Sequence, residues 1–245
     1  MNVNYRVKEP QKFLHFLKRF STIEPSLLIE IENGEIKAKT NTPERSVVKS
    51  SKMLLSDIFE DESEDNLQLK FGLFNINKFI GAFKHFSDGF NMTVEYDVLD
   101  NENVGTSVTL FTKKLKVNFD CASHRIFTHI TDEIMQRVSD VTDTKYINVE
   151  LTEDEFNKIT SLFAIDTDDK FFTAKVGKNG INIESKSFDL ALSEESVKDV
   201  YKVQCYKQHF NFADREDTDL IISEEKLVFK SNTSDTVCVV SRTDE

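Results

Sequence analysis

The sequence predicts an α+β protein of two similar domains with antiparallel sheets, because one pattern occurs twice. An amphipathic helix followed by a hairpin on Asn-Gly stands before residue 40 and again after residue 150. A duplicated order of elements constrains architecture more than any single motif does. Apolar and charged residues alternate along the strands in both halves, which is the mark of sheets wet on one face. The 245 residues accommodate two domains, each in the ordinary range of roughly 100 to 150 residues.

In the first copy, EPQKFLHFLKRF places Pro10 in the first helical turn and Phe13, Phe16, Leu17 and Phe20 on one stripe. LLIEIENGEIKAKT follows as a hairpin around Asn33-Gly34, a pair that tolerates the positive φ values of a type I′ turn. VVKSSKMLLSD reads as a further strand. KFGLFNINKFIGAFKHF then reads as a strand entering a second helix that buries Ile76, Phe79, Ile80 and Phe83. MTVEYDVL and SVTLFTKKLKVNFDCA close the first half in strands, giving a domain over 1–122 with a connector over 123–145.

The second domain, 146–245, repeats this order. Thr152 and Glu155 form a capping box, Leu151 and Phe156 occupy the staple positions, and Phe156, Ile159 and Phe163 make the buried stripe. FFTAKVGKNGINIES repeats the hairpin around Asn179-Gly180. FDLALSEES stands where VVKSSKMLLSD stood, VYKVQCYKQHFNFA reads as strand into short helix, and DLIISEEKLVFKS and TVCVVSRT finish in strands.

Hydrophobic residues make up 39% of the chain, with 21 Phe, no Trp, seven Gly and three Pro, a composition that excludes disorder and low complexity. DIFEDESEDN, with Asp57, Glu60, Asp61, Glu62, Glu64 and Asp65, reads as a surface loop. Cys121, Cys205 and Cys238 are odd in number and far apart in strand-like contexts, as expected of reduced core thiols. The N-terminus lacks the apolar core of a signal peptide, and no apolar run has the length of a membrane span. The expectation is a cytoplasmic protein, in the host cell if phage-encoded, that does not engage a membrane.

Catalytic motifs are missing from the sequence. No phosphate loop, dinucleotide fingerprint, nucleophile elbow, HExxH helix or CxxC pair occurs. His15, His85, His124, His129 and His209 do not cluster at ligand spacing, and Asp166, Asp168 and Asp169 lack the glycine and closing Glu of a calcium loop, so they read as a polar turn. The expectation is therefore no enzyme, no metal and no cofactor. Glu35 and Lys37 on the first hairpin match the Glu-x-Lys pair of some metal-dependent nucleases, which is also what any solvated strand face looks like.

The chain has a formal net charge of -12, yet positive charge gathers on its helices. Lys8, Lys12, His15 and Arg19 recur at helical spacing away from the phenylalanines, with Lys18 beside them. Lys78, Lys84 and His85 lie opposite the apolar stripe of the second helix. Lys158 stands on the third helix, and Lys207 and Arg215 on or near the fourth. The third helix opens with Glu153, Asp154 and Glu155, so the first half has the more positive helices.

The order of elements, the duplicated halves, GLFNINKFIGAFKHF and YINVELTEDEFNKITSLF together resemble the DNA polymerase sliding clamps, especially the trimeric clamp of T-even phages. The resemblance covers nearly the whole chain and rests on hydrophobic pattern and order rather than on signature residues. It implies the DNA-clamp fold, with antiparallel sheets outside and two helices per domain inside, closed as a homotrimeric ring around duplex DNA. The implied partners are duplex DNA of any sequence, a DNA polymerase and an ATP-dependent clamp loader.

By the same resemblance, Lys8, Lys12, His15, Lys18, Arg19, Lys78, Lys84, His85, Lys158, Lys207 and Arg215 face DNA. The connector SHRIFTHITDEIMQRVSDVTDTKY offers Ile126, Phe127, Ile130, Ile134 and Met135 either as a partner groove or as anchors packed onto the sheets. Edge strands at Lys114, Leu115, Lys116 and Val117 and at Phe188, Leu190 and Leu192 join subunits, one edge basic and the other acidic. The alternative is an acidic, non-clamp module of duplicated α+β fold that recruits other proteins, with the nuclease third.

Overall fold

The computed structural model describes residues 1–60, 67–86, 89–127, 130–231 and 236–240. It divides into two compact units: Met1–Asn41 with Ser50–Asp132, and Thr42–Lys49 with the chain from Glu133 onward. The main division falls inside the stretch expected to act as connector.

The first unit runs β1 (Asn2–Val7), α1 (Pro10–Lys18), β2 (Leu27–Glu32), β3 (Glu35–Asn41), β4 (Val47–Leu54, begun in the second unit's segment), β5 (Leu69–Leu73), α2 (Ile76–Phe83), β6 (Phe90–Leu99), β7 (Glu102–Phe111) and β8 (Lys116–Ala122). After α3 (Asp132–Ser139), the second unit runs β9 (Tyr146–Leu151), α4 (Glu153–Ile165), β10 (Phe171–Gly177), β11 (Gly180–Ser185), β12 (Phe188–Ser193), β13 (Tyr201–Tyr206), α5 (Lys207–Phe210), β14 (Thr218–Ser223), β15 (Lys226–Ser231) and β16 (Thr236–Val240).

The duplication extends to sheet topology. Strands β1-β6-β7-β8 and β5-β2-β3-β4 are neighbours in the first unit, and β9-β14-β15-β16 and β13-β10-β11-β12 stand in the same order in the second. Each repeat opens with a strand ahead of its first helix. The expected first repeat starts at the helix, yet Asn2–Val7 alternates exposed and buried residues and pairs antiparallel with β6.

The two hairpins differ in detail. Asn33 and Gly34 take φ of 52° and 74° between the opposed residues Glu32 and Glu35, a type I′ turn. In the second hairpin Gly177 opposes Gly180, so the loop is Lys178-Asn179 and the positive φ of 99° sits on Gly180. A side chain there would collide with the Ser193 carbonyl. A third hairpin, between β6 and β7, turns on Asp100 and Asn101 at φ of 52° and 68°. Its Asp-Asn pair has no glycine to mark it in sequence.

Phenylalanine fills both cores. Phe13 meets Phe83 edge-on at 5.6 Å between ring centres, which locks α1 against α2. In the second unit Phe156, Phe163 and Phe172 all contact Phe210. The capping box of α4 is formed, with the Thr152 hydroxyl accepting from the Glu155 N–H and the Glu155 carboxylate accepting from the Thr152 N–H. Phe156, Ile159 and Phe163 are buried.

Cys205 is buried, and burial together with the Asp120 charge pushes the Cys121 thiol up to about 12, so neither is a poised nucleophile. The Cys238 and His124 side chains, His129, and Asp61, Glu62, Glu64 and Asp65 of the acidic run lie outside the described residues. No helix among the described residues is long and apolar enough to cross a membrane.

Candidate nucleic-acid interface

Helix α1 begins at Pro10 with fixed φ and buries Pro10, Phe13, Phe16 and Leu17, which turns the intervening positions outward. Lys8, Lys12, His15 and Lys18 are exposed, while Arg19 is half-buried at the C-cap. Helix α2 starts at Asn75, whose side chain accepts from the Lys78 N–H at 2.9 Å. It buries Ile76, Phe79, Ala82 and Phe83 and leaves Lys78, Lys84 and His85 exposed.

Because α1 and α2 pack together through their phenylalanines, their outward sides belong to one surface. Lys8, Lys12, Lys18, Lys78 and Lys84 form no ion pair with another described residue. Five uncompensated ammonium groups on two adjacent helices make a positive field within an otherwise acidic chain.

The second unit presents a different surface. Lys158 and Arg215 are exposed, but Glu153 and Asp154 are exposed on the same helix as Lys158. Lys207, expected to face DNA, is buried. Its ammonium donates to the Asp166 carbonyl and carboxylate, each at 2.8 Å, and lies 5.8 Å from the Phe163 ring centre. Asp166 is the C-cap of α4 and also accepts from the Ser185 and Ser187 hydroxyls. These hydrogen bonds, Lys207 first, hold its carboxyl well below the usual carboxylate range. Lys207 therefore neutralises a buried acid at the negative end of a helix and cannot reach an external phosphate. Asp166 is part of a buried network rather than of an open polar turn.

The connector residues also divide. Phe127 is buried over Gly72, where an added Cβ would lie 2.5 Å from the ring. Ile130 and Met135 are buried as well. As groove-lining residues these three are corrected: their apolar surface is already removed from water, and only Ile126 is well exposed, with Ile134 intermediate. The connector also carries a helix, α3, that is not among the expected elements. Asp132 at its start pairs with Lys39, which is buried and also pairs with Glu30. Toward its end, the Val138 carbonyl accepts from the Lys226 ammonium at 2.5 Å, and Val138 packs with Val141, Ile221 and Val228.

Both expected subunit edges are sheet edges in the structure. Residues Lys116–Phe119 of β8 pair with β7 on one side, and β8 meets β5 only through Cys121 and Ala122. Strand β12 is the outermost strand of its four-stranded sheet. Val117, Phe119, Phe188, Leu190 and Leu192 are partly buried against their own cores, whereas Lys114, Leu115 and Lys116 are exposed.

The Glu-x-Lys pair shows no nuclease arrangement. Lys37 bonds the Glu32 carboxylate at 2.5 Å and Glu35 pairs with Lys52 at 3.0 Å. Among the described residues, no group of three or more His, Cys, Asp or Glu is placed to hold a metal ion.

No protein-family model matches this sequence, and no curated protein does. Solved structures do match. The DNA polymerase III β subunit of Pseudomonas aeruginosa superimposes with a TM-score of 0.71 at 8% identity, covering 100% of this chain and 65% of the other. An Archaeoglobus fulgidus PCNA, solved with the C-terminal region of FEN-1, matches at 0.64 and 10% identity, with all of both chains covered. The PCNA2-PCNA3 complex of Sulfolobus tokodaii matches at 0.66 and 11% identity, covering 99% of this chain and 100% of the other. The chain thus has the fold of the sliding clamps. It spans about two thirds of the bacterial β subunits and the full length of the archaeal chains.

Proposed function

We propose that this protein is a sliding clamp: a non-enzymatic processivity factor, of the trimeric T-even phage type, that closes around duplex DNA and tethers a DNA polymerase. The observation that carries this reading is the joint basic surface of α1 and α2 on a clamp fold in a chain of net charge -12. A protein that slides offers cations to phosphates and avoids bidentate contacts to bases, which would fix its register. Acidity elsewhere repels DNA from the outer surface and concentrates attraction at these helices. A closed ring releases duplex only by opening, so weak salt-screened contacts suffice.

In this reading an ATP-dependent loader places the ring on DNA in the host cytoplasm, and a partner peptide approaches the exposed Ile126 with Ile134 beside it. The archaeal PCNA solved with FEN-1 and the Helicobacter pylori β clamp solved with a DNA ligase peptide support partner-peptide binding by this fold.

Replacement of Lys12 and Lys78 by Glu tests the reading. Both are exposed, so folding survives, while loading on circular DNA and polymerase processivity fall and the loss deepens with salt. Unchanged processivity at moderate salt, or a wild-type protein that stays monomeric at micromolar concentration, contradicts it.

A further inference from the structure

The two open strand edges end in turns of opposite, unpaired charge. Lys113 and Lys114 occupy the turn that opens β8, on a recess of about 380 Å³ that Arg6, Gly89 and Asn91 also line. Thr112 fixes that turn: its hydroxyl accepts from the Lys114 and Leu115 N–H groups, and its own N–H donates to the Leu115 carbonyl at 2.8 Å. Glu194 and Glu195 directly follow β12, where the Ser193 hydroxyl accepts from the Glu195 N–H at 3.2 Å. Neither lysine and neither glutamate forms an ion pair with another described residue.

We propose that Glu194 and Glu195 of one copy seat against Lys113 and Lys114 of a second, with β12 antiparallel to β8 and Asn118 opposite Asp189. The inference rests on the ring reading above and adds the direction and register of its joint.

Charge selects the direction. A parallel pairing that aligned Lys116 with Phe188 would bring Lys186 to Lys114 and carry the glutamates away past Asp120. Alternation then limits the register, because Val117 and Phe119 on β8 and Phe188 and Leu190 on β12 all turn toward their cores. With Asn118 opposite Asp189, Phe119 faces Phe188 and Val117 faces Leu190, so both apolar rows continue across the joint.

Sliding by two residues one way sets Asp120 against Asp189, and like charges directly opposed are unfavourable. Sliding the other way sets Phe119 against Lys186 and loses the aromatic pair. Pairing stops near Ala191, because β12 bulges at Leu192, where Ile181 opposes Ser193 while Asn182 opposes Ala191. The acidic residues beyond the bulge thus leave the ladder as a turn beside the lysines.

Charge reversal tests the seat in the full-length protein. Lys113→Glu with Lys114→Glu, and separately Glu194→Lys with Glu195→Lys, should each weaken self-association roughly tenfold in sedimentation at low salt, about the effect of two exposed pairs turned repulsive. The protein carrying all four changes should regain it. For the register, Asn118→Cys with Asp189→Cys should yield covalent oligomers on oxidation, whereas Asn118→Cys with Ala191→Cys should not.

Wild-type assembly that ignores both reversals, folded reversals with no mutual rescue, or crosslinking only of the 118/191 pair overturns this inference and leaves the ring standing. A monomeric wild type overturns the ring, and the joint with it.

Discussion

Lys78 and Lys207 stand after equivalent strands, on the second helix of each repeat, and do opposite things. Lys78 is exposed on an eight-residue helix, N-terminally capped by Asn75, whose inner face already holds four buried residues. Lys207 opens a four-residue helix and is buried against Asp166. A helix of one turn has no separate outer face, so its first side chain goes where the nearest demand lies. That demand is the end of α4, where a buried carboxylate and a terminal carbonyl need a cationic donor. Topological duplication therefore copies the position of an element without copying its chemistry.

The strongest way to break this comparison is Asp166→Ala, which leaves the Lys207 ammonium buried and unpaired. Denaturant titration should show a loss of about 3–5 kcal/mol, against no more than about 0.5 kcal/mol for Lys78→Ala. Equal effects would mean that Lys207 has no structural role.

Acid titration sharpens the same contrast. The Asp166 carboxyl is depressed in the folded state, so its contribution is fully present above the unfolded carboxylate value and is lost as pH falls below that value toward the folded one. Thermal stability should fall in that acidic window, and Asp166→Asn should flatten the fall. A wild-type slope retained by Asp166→Asn would assign the acid sensitivity to other groups.

On the DNA side, the Lys12→Glu, Lys78→Glu protein should show a log affinity versus log salt slope shallower by about 0.9 for each phosphate that is no longer neutralised. Lys158→Glu, beside Glu153 and Asp154, should change the slope less. The reverse ranking would move the DNA surface to the second unit. The smallest expected effect is on a cap: Thr152→Ala should cost about 1 kcal/mol, read by thermal denaturation, with DNA binding unchanged.

The sequence displays whatever depends on local periodicity. The α1 and α2 stripes, the Thr152 capping box, the Asn33-Gly34 turn and the repeat itself follow from side chains that recur every few residues or from φ values that few residues tolerate. The outward placement of Lys12 and Lys78 is legible for the same reason: a helix with one apolar stripe leaves its other positions to water. The turn at Asp100-Asn101 is not legible, because its positive φ values fall on residues without the glycine signature.

Fates set by distant partners are hidden as well. Lys207 is buried because Asp166, 41 residues away along the chain, needs a counter-charge. Phe127 is buried because Gly72 leaves room for its ring, and nothing within the connector's own pattern separates an anchor from a groove. By itself, then, the sequence determined the repeat, the elements and the charge of their faces, since these are properties of neighbours in the chain. Only tertiary structure decided which charges remain available to a ligand and which strand edges stay open, since burial and pairing are settled by groups the chain brings together from far apart.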